Sequence, residues 1–165
     1  MAIRAAAVLA AAIMIALHPS SARSADFYLI EAKKNQIDFF IDQDAIATEA
    51  NGMRAAPIVF ILRSSETLHE SFDYGVAGTQ FDCAHRRVAA VSLTAYLADG
   101  REAPEQSPKS GETVWVTVDR GSQAEAALEF VCAERGERAS HGVSMGGLSL
   151  KQIVDRVRGG AGPAP

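Results

Sequence analysis

Cys83 and Cys132 are the only cysteines in the chain, and no other pair of residues limits its folding as strongly. If they join, the two segments that carry them must meet in space, with their Cα atoms within about 7 Å. For a loop as long as the segment between Cys83 and Cys132 the chain-entropy contribution is roughly 4 kcal/mol, with native strain subtracting from it. That is a third or more of the net stability of a small domain. Whether they join depends on the compartment.

The first residues address that question. Met1 to Arg4 is a short basic start, and Ala5 to Leu17 is apolar and uncharged, followed by Pro19, Ser20, Ser21 and Ala22. A basic start, an apolar run of this length and small residues at its end describe a secretory signal peptide. The run covers only about 20 Å as a helix, against a hydrocarbon core of roughly 30 Å, so it is too short to span well. Cuts after Ser24 or after Ala22 both fit the small-residue rule. The first gives residues 1–24 as leader and removes Arg4 and Arg23 and no acid. No cysteine stands near either cut, so no lipid anchor is expected. No later stretch is apolar enough for a transmembrane segment. The expected localisation is periplasmic or secreted.

In such a compartment an even cysteine count reads first as a disulfide, and two cysteines allow one pairing. Two other uses stay open on the residues alone. Cys83 and His85, with His69 or Cys132, could supply metal ligands, although no closed four-ligand spacing is written in the chain. A Cys83–His85 nucleophile pair would need neighbours along a strand to aim at each other, which strand alternation opposes.

The 165 residues are 48% apolar and 22% charged, which suits one globular domain and excludes a disordered chain. The formal charge of −4 opposes a general affinity for nucleic acid.

Strand signals fill the middle of the chain. Asp26 to Ala32 and Ile37 to Gln43 are β-favouring runs, and Ile37, Phe39 and Ile41 alternate with Asp38, Phe40 and Asp42, the period of a half-buried strand. Asn51-Gly52 is a hairpin signal, followed by Pro57 to Arg63 and by a strand expected over Leu68 to Tyr74. Gly78 to Cys83 leads into Arg87 to Leu97, where Val91, Leu93, Ala95 and Leu97 share one face. Glu102 to Gly111, with Pro104 and Pro108, reads as a surface loop. Val114, Val116 and Val118 alternate in the last strand.

Then the period changes. Ser122-Gln123-Ala124-Glu125 is a capping box, and Leu128, Val131 and Cys132 share one face of the helix it opens, with Glu125, Glu129 and Arg135 toward water. Gly136 is its expected stop. Cys132 points the same way as the apolar stripe, so a bond to Cys83 would fasten the helix to the sheet. The fold class is α+β, antiparallel because the connections are short.

Three patterns invite a catalytic or ligand-binding reading. Gly142-Val143-Ser144-Met145-Gly146 matches G-x-S-x-G, but a nucleophile elbow needs a strand before Ser144, a helix straight after it and a later histidine. All four histidines precede Ser144. Asp42-Gln43-Asp44 starts like a calcium loop without its glycine and closing glutamate. His85, Arg86 and Arg87 form a small basic cluster, a solvated face or an anion contact. No set of residues specifies an enzyme.

The run Phe81-Asp82-Cys83-Ala84-His85-Arg86-Arg87, the Val/Ala/Leu strand after it, Trp115 to Val118, Gly121-Ser122 and Phe130-Val131-Cys132 together resemble the surface-adhesin protein E family of Gram-negative bacteria. Ile41-Asp42 through Ala45-Ile46 is similar to a strand-end element of that family, with Ala45 in place of its serine. The likeness covers roughly residues 26–134. It implies an antiparallel sheet of about six strands with a C-terminal helix tied to it by the disulfide. It also implies adhesion to host matrix proteins, and haem contact. No ligand-contacting residue is carried over.

The expected organisation is therefore a signal peptide over 1–24, an α+β domain over 25–136 and a tail over 137–165. In the tail, a flexible Gly142–Gly147 link precedes a short helix. Leu150, Ile153, Val154 and Val157 form its stripe, behind a second capping box at Ser149 and Gln152; it either docks on the domain or is kept for a partner. The expected function is a non-catalytic exported domain that contacts a macromolecular partner, an envelope or host matrix protein, with no cofactor. The alternatives are a small-ligand, metal or haem binder using His69, Cys83, His85 or Arg86, and a serine hydrolase using Ser144.

Overall fold

The computed structural model describes residues 25–30, 37–62, 72–103 and 113–159. The leader, His69, the tip of the Glu102 to Gly111 loop and most of the strand expected over Leu68 to Tyr74 lie outside them.

Eight strands form one antiparallel sheet among these residues: β1 (Phe27–Ile30), β2 (Ile37–Asp42), β3 (Ala47–Thr48), β4 (Arg54–Leu62), β5 (Tyr74–Asp82), β6 (Arg87–Tyr96), β7 (Val116–Thr117) and β8 (Val143–Ser144). Their order is β7-β6-β5-β4-β2-β1-β8, with β3 paired to β4 off that path. The sheet exceeds the expected count of about six because β3, β7 and β8 are two-residue pieces. The β3–β4 hairpin turns where Asn51-Gly52 predicts it, with Gly52 at φ 81°. Tyr74 opens a strand rather than closing one.

Two helices cover opposite faces. α1 (Gln123–Cys132) lies on Tyr28, Ile30, Ile41, Ala56 and Phe81, into which it sets Ala127, Leu128, Phe130 and Val131. The Phe130 ring packs against Tyr28 at a tilt of 47°, with ring centroids 5.1 Å apart. α2 (Leu150–Arg158) lies on Phe27, Leu29, Phe40, Val59, Ile61 and Tyr74, and buries Ile153, Val154 and Val157 there. Of the two arrangements expected for the second helix, it adopts the docked one. Its capping box at Ser149 and Gln152 is complete.

Coverage on both sides corrects the half-buried reading of β2. Phe40, placed by alternation on the polar side, is 0% exposed because α2 covers that side. Val91 departs from the expected face because a bulge sits opposite Gly78 and Thr79, whose partners on β6 are Ser92 and Ala90. The skipped residue is 51% exposed; an unpaired bulge residue is turned out of the ladder. The last valine strand is shorter than expected: Val114 and Val116 are exposed, and only Val118 reaches the core. The Gly142–Gly147 segment is not a free link through its length, since Val143 and Ser144 pair with β1, and Met145 is buried and donates its amide to the Phe27 carbonyl.

α1 is held at both ends. Cys83 and Cys132 are joined, with Cα atoms 5.7 Å apart. The helix stops at Cys132, short of Gly136, where the Arg54 guanidinium donates to the Val131 and Ala133 carbonyls at 3.2 Å each. Carbonyls at a helix C-terminus lack intrahelical partners and attract a cation. The capping box at the other end is half formed. Ser122 accepts the Glu125 amide at 3.1 Å, while the Glu125 carboxylate reaches past Ser122 to the Gly121 amide at 2.6 Å.

Candidate functional site

The turn from β5 to β6 carries the basic cluster, and its shape depends on one carboxylate. Asp82 ends β5 with its side chain largely enclosed, and it accepts from the His85 amide at 3.1 Å, from His85 Nδ1 at 2.9 Å and from the Arg87 guanidinium at 2.5 Å. The Arg87 hydrogen bond is the main reason the Asp82 pKa is held down to about 2, with His85 adding to it and burial opposing both. Arg87 also lies over the Trp115 ring, 5.4 Å from its centroid, a cation–π arrangement. Arg86 takes the left-handed conformation at φ 50°, its carbonyl accepts the Val118 amide at 3.1 Å, and its guanidinium pairs with Glu125 on α1.

His85, Arg86 and Arg87 are thus together on one turn, but not as an open basic patch. His85 and Arg87 share Asp82, and Arg86 has Glu125. An incoming anion would have to compete with two carboxylates. His85 keeps 71% of its side chain exposed, so the turn stays accessible to a partner that matches both signs of charge.

Glu125 links this turn to a groove that the sequence did not reveal. On the outer flank of α1, Ser122, Glu125 and Glu129 face His141, Gly142 and Val143 across an open groove of about 820 Å³. Glu129 and His141 stand on opposite walls, with Glu129 Oε2 and His141 Nδ1 3.9 Å apart. One wall is helical. The other leads into β8, the outermost strand beside β1. Polar groups, an exposed valine and an outermost strand in one groove suit an extended or irregular macromolecular surface better than a small enclosed ligand.

The other expected sites fare differently. Cys83 is spent in the disulfide, which removes it as a metal ligand and as a nucleophile, because both need the thiolate. Ser144 lies in exposed β8, accepts the Gly146 amide at 3.2 Å, and is separated from α2 by Met145 to Ser149. That is not the strand–serine–helix turn of a nucleophile elbow. Asp42 Oδ1 accepts the Asp26 and Asp44 amides at 3.0 Å each, which makes it a strand-end cap. Among the described residues, no three His, Cys, Asp or Glu side chains stand close enough together to hold a metal ion.

The segment that carries the turn, the disulfide and α1 is the segment that matches known proteins. The family described as surface-adhesin protein E matches residues 27–133. The chain belongs to the surface-adhesin protein E family. No curated protein and no solved structure matches it. The adhesin match contains β1 to β7, both cysteines and all of α1; β8, His141 and α2 lie beyond it. The groove therefore joins a wall from the adhesin domain to a wall from the segment that follows. Among the described residues, no helix is long and apolar enough to cross a membrane.

Proposed function

We propose that the protein is a non-catalytic, exported binding domain that contacts another macromolecule through the surface running from the β5–β6 turn, over Glu125, into the groove along α1. The leader over residues 1–24 directs it to the periplasm or the medium, and residues 25–136 form the adhesin-type domain. The observation that carries this reading is the groove itself. It is open and lined by both polar and apolar groups, and one of its walls is a helix fixed at both ends, so that wall needs little ordering on binding.

The partner class is an envelope protein or a host matrix protein. Immobilised mature protein, challenged with envelope extract and with purified matrix proteins, is expected to retain a partner at micromolar concentration. Retention of none from either source would contradict the reading. A small-ligand role would instead use His85 and Arg86, and native mass spectrometry of protein from its own host separates the two by showing a bound mass.

A further inference from the structure

The sheet ends on one side at β7, which pairs with β6 along one edge and, among the described residues, with no strand along the other. End strands are usually kept from pairing further by a charge, a proline or a bulge. The run that holds β7, Thr113-Val114-Trp115-Val116-Thr117-Val118, contains no charge and no proline. Val114 is 69% exposed and Val116 56% exposed, and Thr113 and Thr117 are exposed beside them. From Thr113 to Thr117 the run also reads the same in both directions, with Trp115 at its centre.

The register with β6 decides which backbone groups of this run face outward. Arg87 stands opposite Thr117 and Val88 opposite Val116, and the Val118 amide donates to the Arg86 carbonyl at 3.1 Å. Residues 86 and 118 are therefore a hydrogen-bonded pair, and in an antiparallel ladder such pairs alternate with non-bonded ones. Thr117 falls in a non-bonded pair, so its N–H and C=O point away from β6. The same alternation, continued back along the chain, turns the N–H and C=O of Trp115 and Thr113 outward as well.

We propose that this edge pairs with the same edge of a second copy of the chain, across a two-fold axis at Trp115, so that the two sheets run on as one. An antiparallel pairing centred there sets Thr113 against Thr117, Trp115 against its own copy, and Val114 against Val116. Every residue with outward backbone groups then meets another that has them. The valines meet at the non-bonded positions, where side chains approach most closely and β-branched pairs stabilise a sheet. A two-fold interface needs a patch that fits itself, which a palindrome centred on the axis supplies. The pairing consumes both β7 edges, so it stops at two copies. Two short strands bury less than the roughly 1,200 Å² of a standard stable interface, so the dimer is weak, with a dissociation constant in the micromolar to submillimolar range. The inference does not rest on the proposed function, whose groove lies at the β8 end of the sheet.

Sedimentation velocity of the mature chain from about 1 μM to about 1 mM tests the dimer, and the emission of Trp115, the only tryptophan, reports on the axis. The wild type is expected to pass from monomer to dimer over this range, with the Trp115 emission changing in step. A monomer throughout, or growth beyond two copies, would overturn the proposal. Val114→Lys sets a charge against Val116 of the second copy. It is expected to weaken association at least about tenfold and, at so exposed a position, to leave the melting temperature unchanged. Val114→Lys/Val116→Glu sets opposite charges across the same pair and is expected to recover association at least about tenfold over Val114→Lys. An unchanged dimer in Val114→Lys would place the contact elsewhere and overturn the edge. No recovery in the double variant would overturn the register.

Discussion

Arg86 and Glu125 form an ion pair that joins the β5–β6 turn to the first turn of α1, while Cys83 of the same turn binds Cys132 at the helix's last turn. One short turn thus clamps both ends of the helix that carries a wall of the groove. The geometry makes α1 a fixed support, with Ser122 and Glu129 on its outer flank.

The disulfide should dominate the stability of this clamp. Cys83→Ser or Cys132→Ser is expected to cost about 2–5 kcal/mol, the usual range for a native bridge in a small exported domain. Thermal melts of both variants, and of the wild type under reductant, check it. Unchanged midpoints would show that the non-covalent contacts of α1 suffice.

Asp82 should make the turn sensitive to acid. Its pKa lies near 2 against an ordinary 3.8, so the folded state favours the charged carboxylate more than the unfolded chain does. That contribution is complete above pH ~4 and disappears as pH falls through about 2. Asp82→Asn is therefore expected to melt below the wild type at neutral pH, with the gap closing between about pH 4 and pH 2. A gap that stays constant across this window would contradict the role given to the carboxylate.

Arg54 and Glu134 should behave differently although they form an ion pair. Arg54 is largely covered and donates to two carbonyls at the end of α1, so Arg54→Ala is expected to cost about 1–3 kcal/mol. The Glu134 side chain is 81% exposed, and Glu134→Ala should change stability by less than about 0.5 kcal/mol. Urea titrations of both variants separate the helix cap from the surface pair.

Phe40 tests the two-sided burial of β2. Phe40→Ala is expected to cost about 3–5 kcal/mol, as for other fully buried aromatics. Val116→Ala on exposed β7 should cost less than about 0.5 kcal/mol. A small effect at Phe40 would mean that α2 does not cover it in solution.

The same residue shows where reading the sequence stops. α1 and its bond to the sheet were legible because a period change, a serine cap and the position of Cys132 on the apolar stripe are all local signals. The burial of Phe40 was not, because β2 alternates correctly for one covered face, and only the docking of a helix more than a hundred residues later covers the other. The α2 stripe was legible, but its surface was not. Val91 was misplaced because a bulge depends on the register with β5, which no residue of β6 encodes alone. His85, Arg86 and Arg87 were found as a cluster, yet their neutralisation by Asp82 and Glu125 depends on a turn geometry and a helix position. The groove left no signal at all. One of its walls follows from Val143 and Ser144 pairing with β1, a contact between distant segments with no hairpin or alternation to announce it.

On the proposed function, a partner docks on the outer flank of α1 and the strand facing it. The most direct measurement compares partner binding by the wild type with that by the double variant Glu129→Arg/Val143→Asp, which changes one exposed side chain on each wall of the groove. The wild type is expected to bind an envelope or matrix protein with micromolar affinity or better. The double variant is expected to lose at least about tenfold in affinity while its melting temperature and its disulfide stay intact. Equal binding by the two proteins would contradict it.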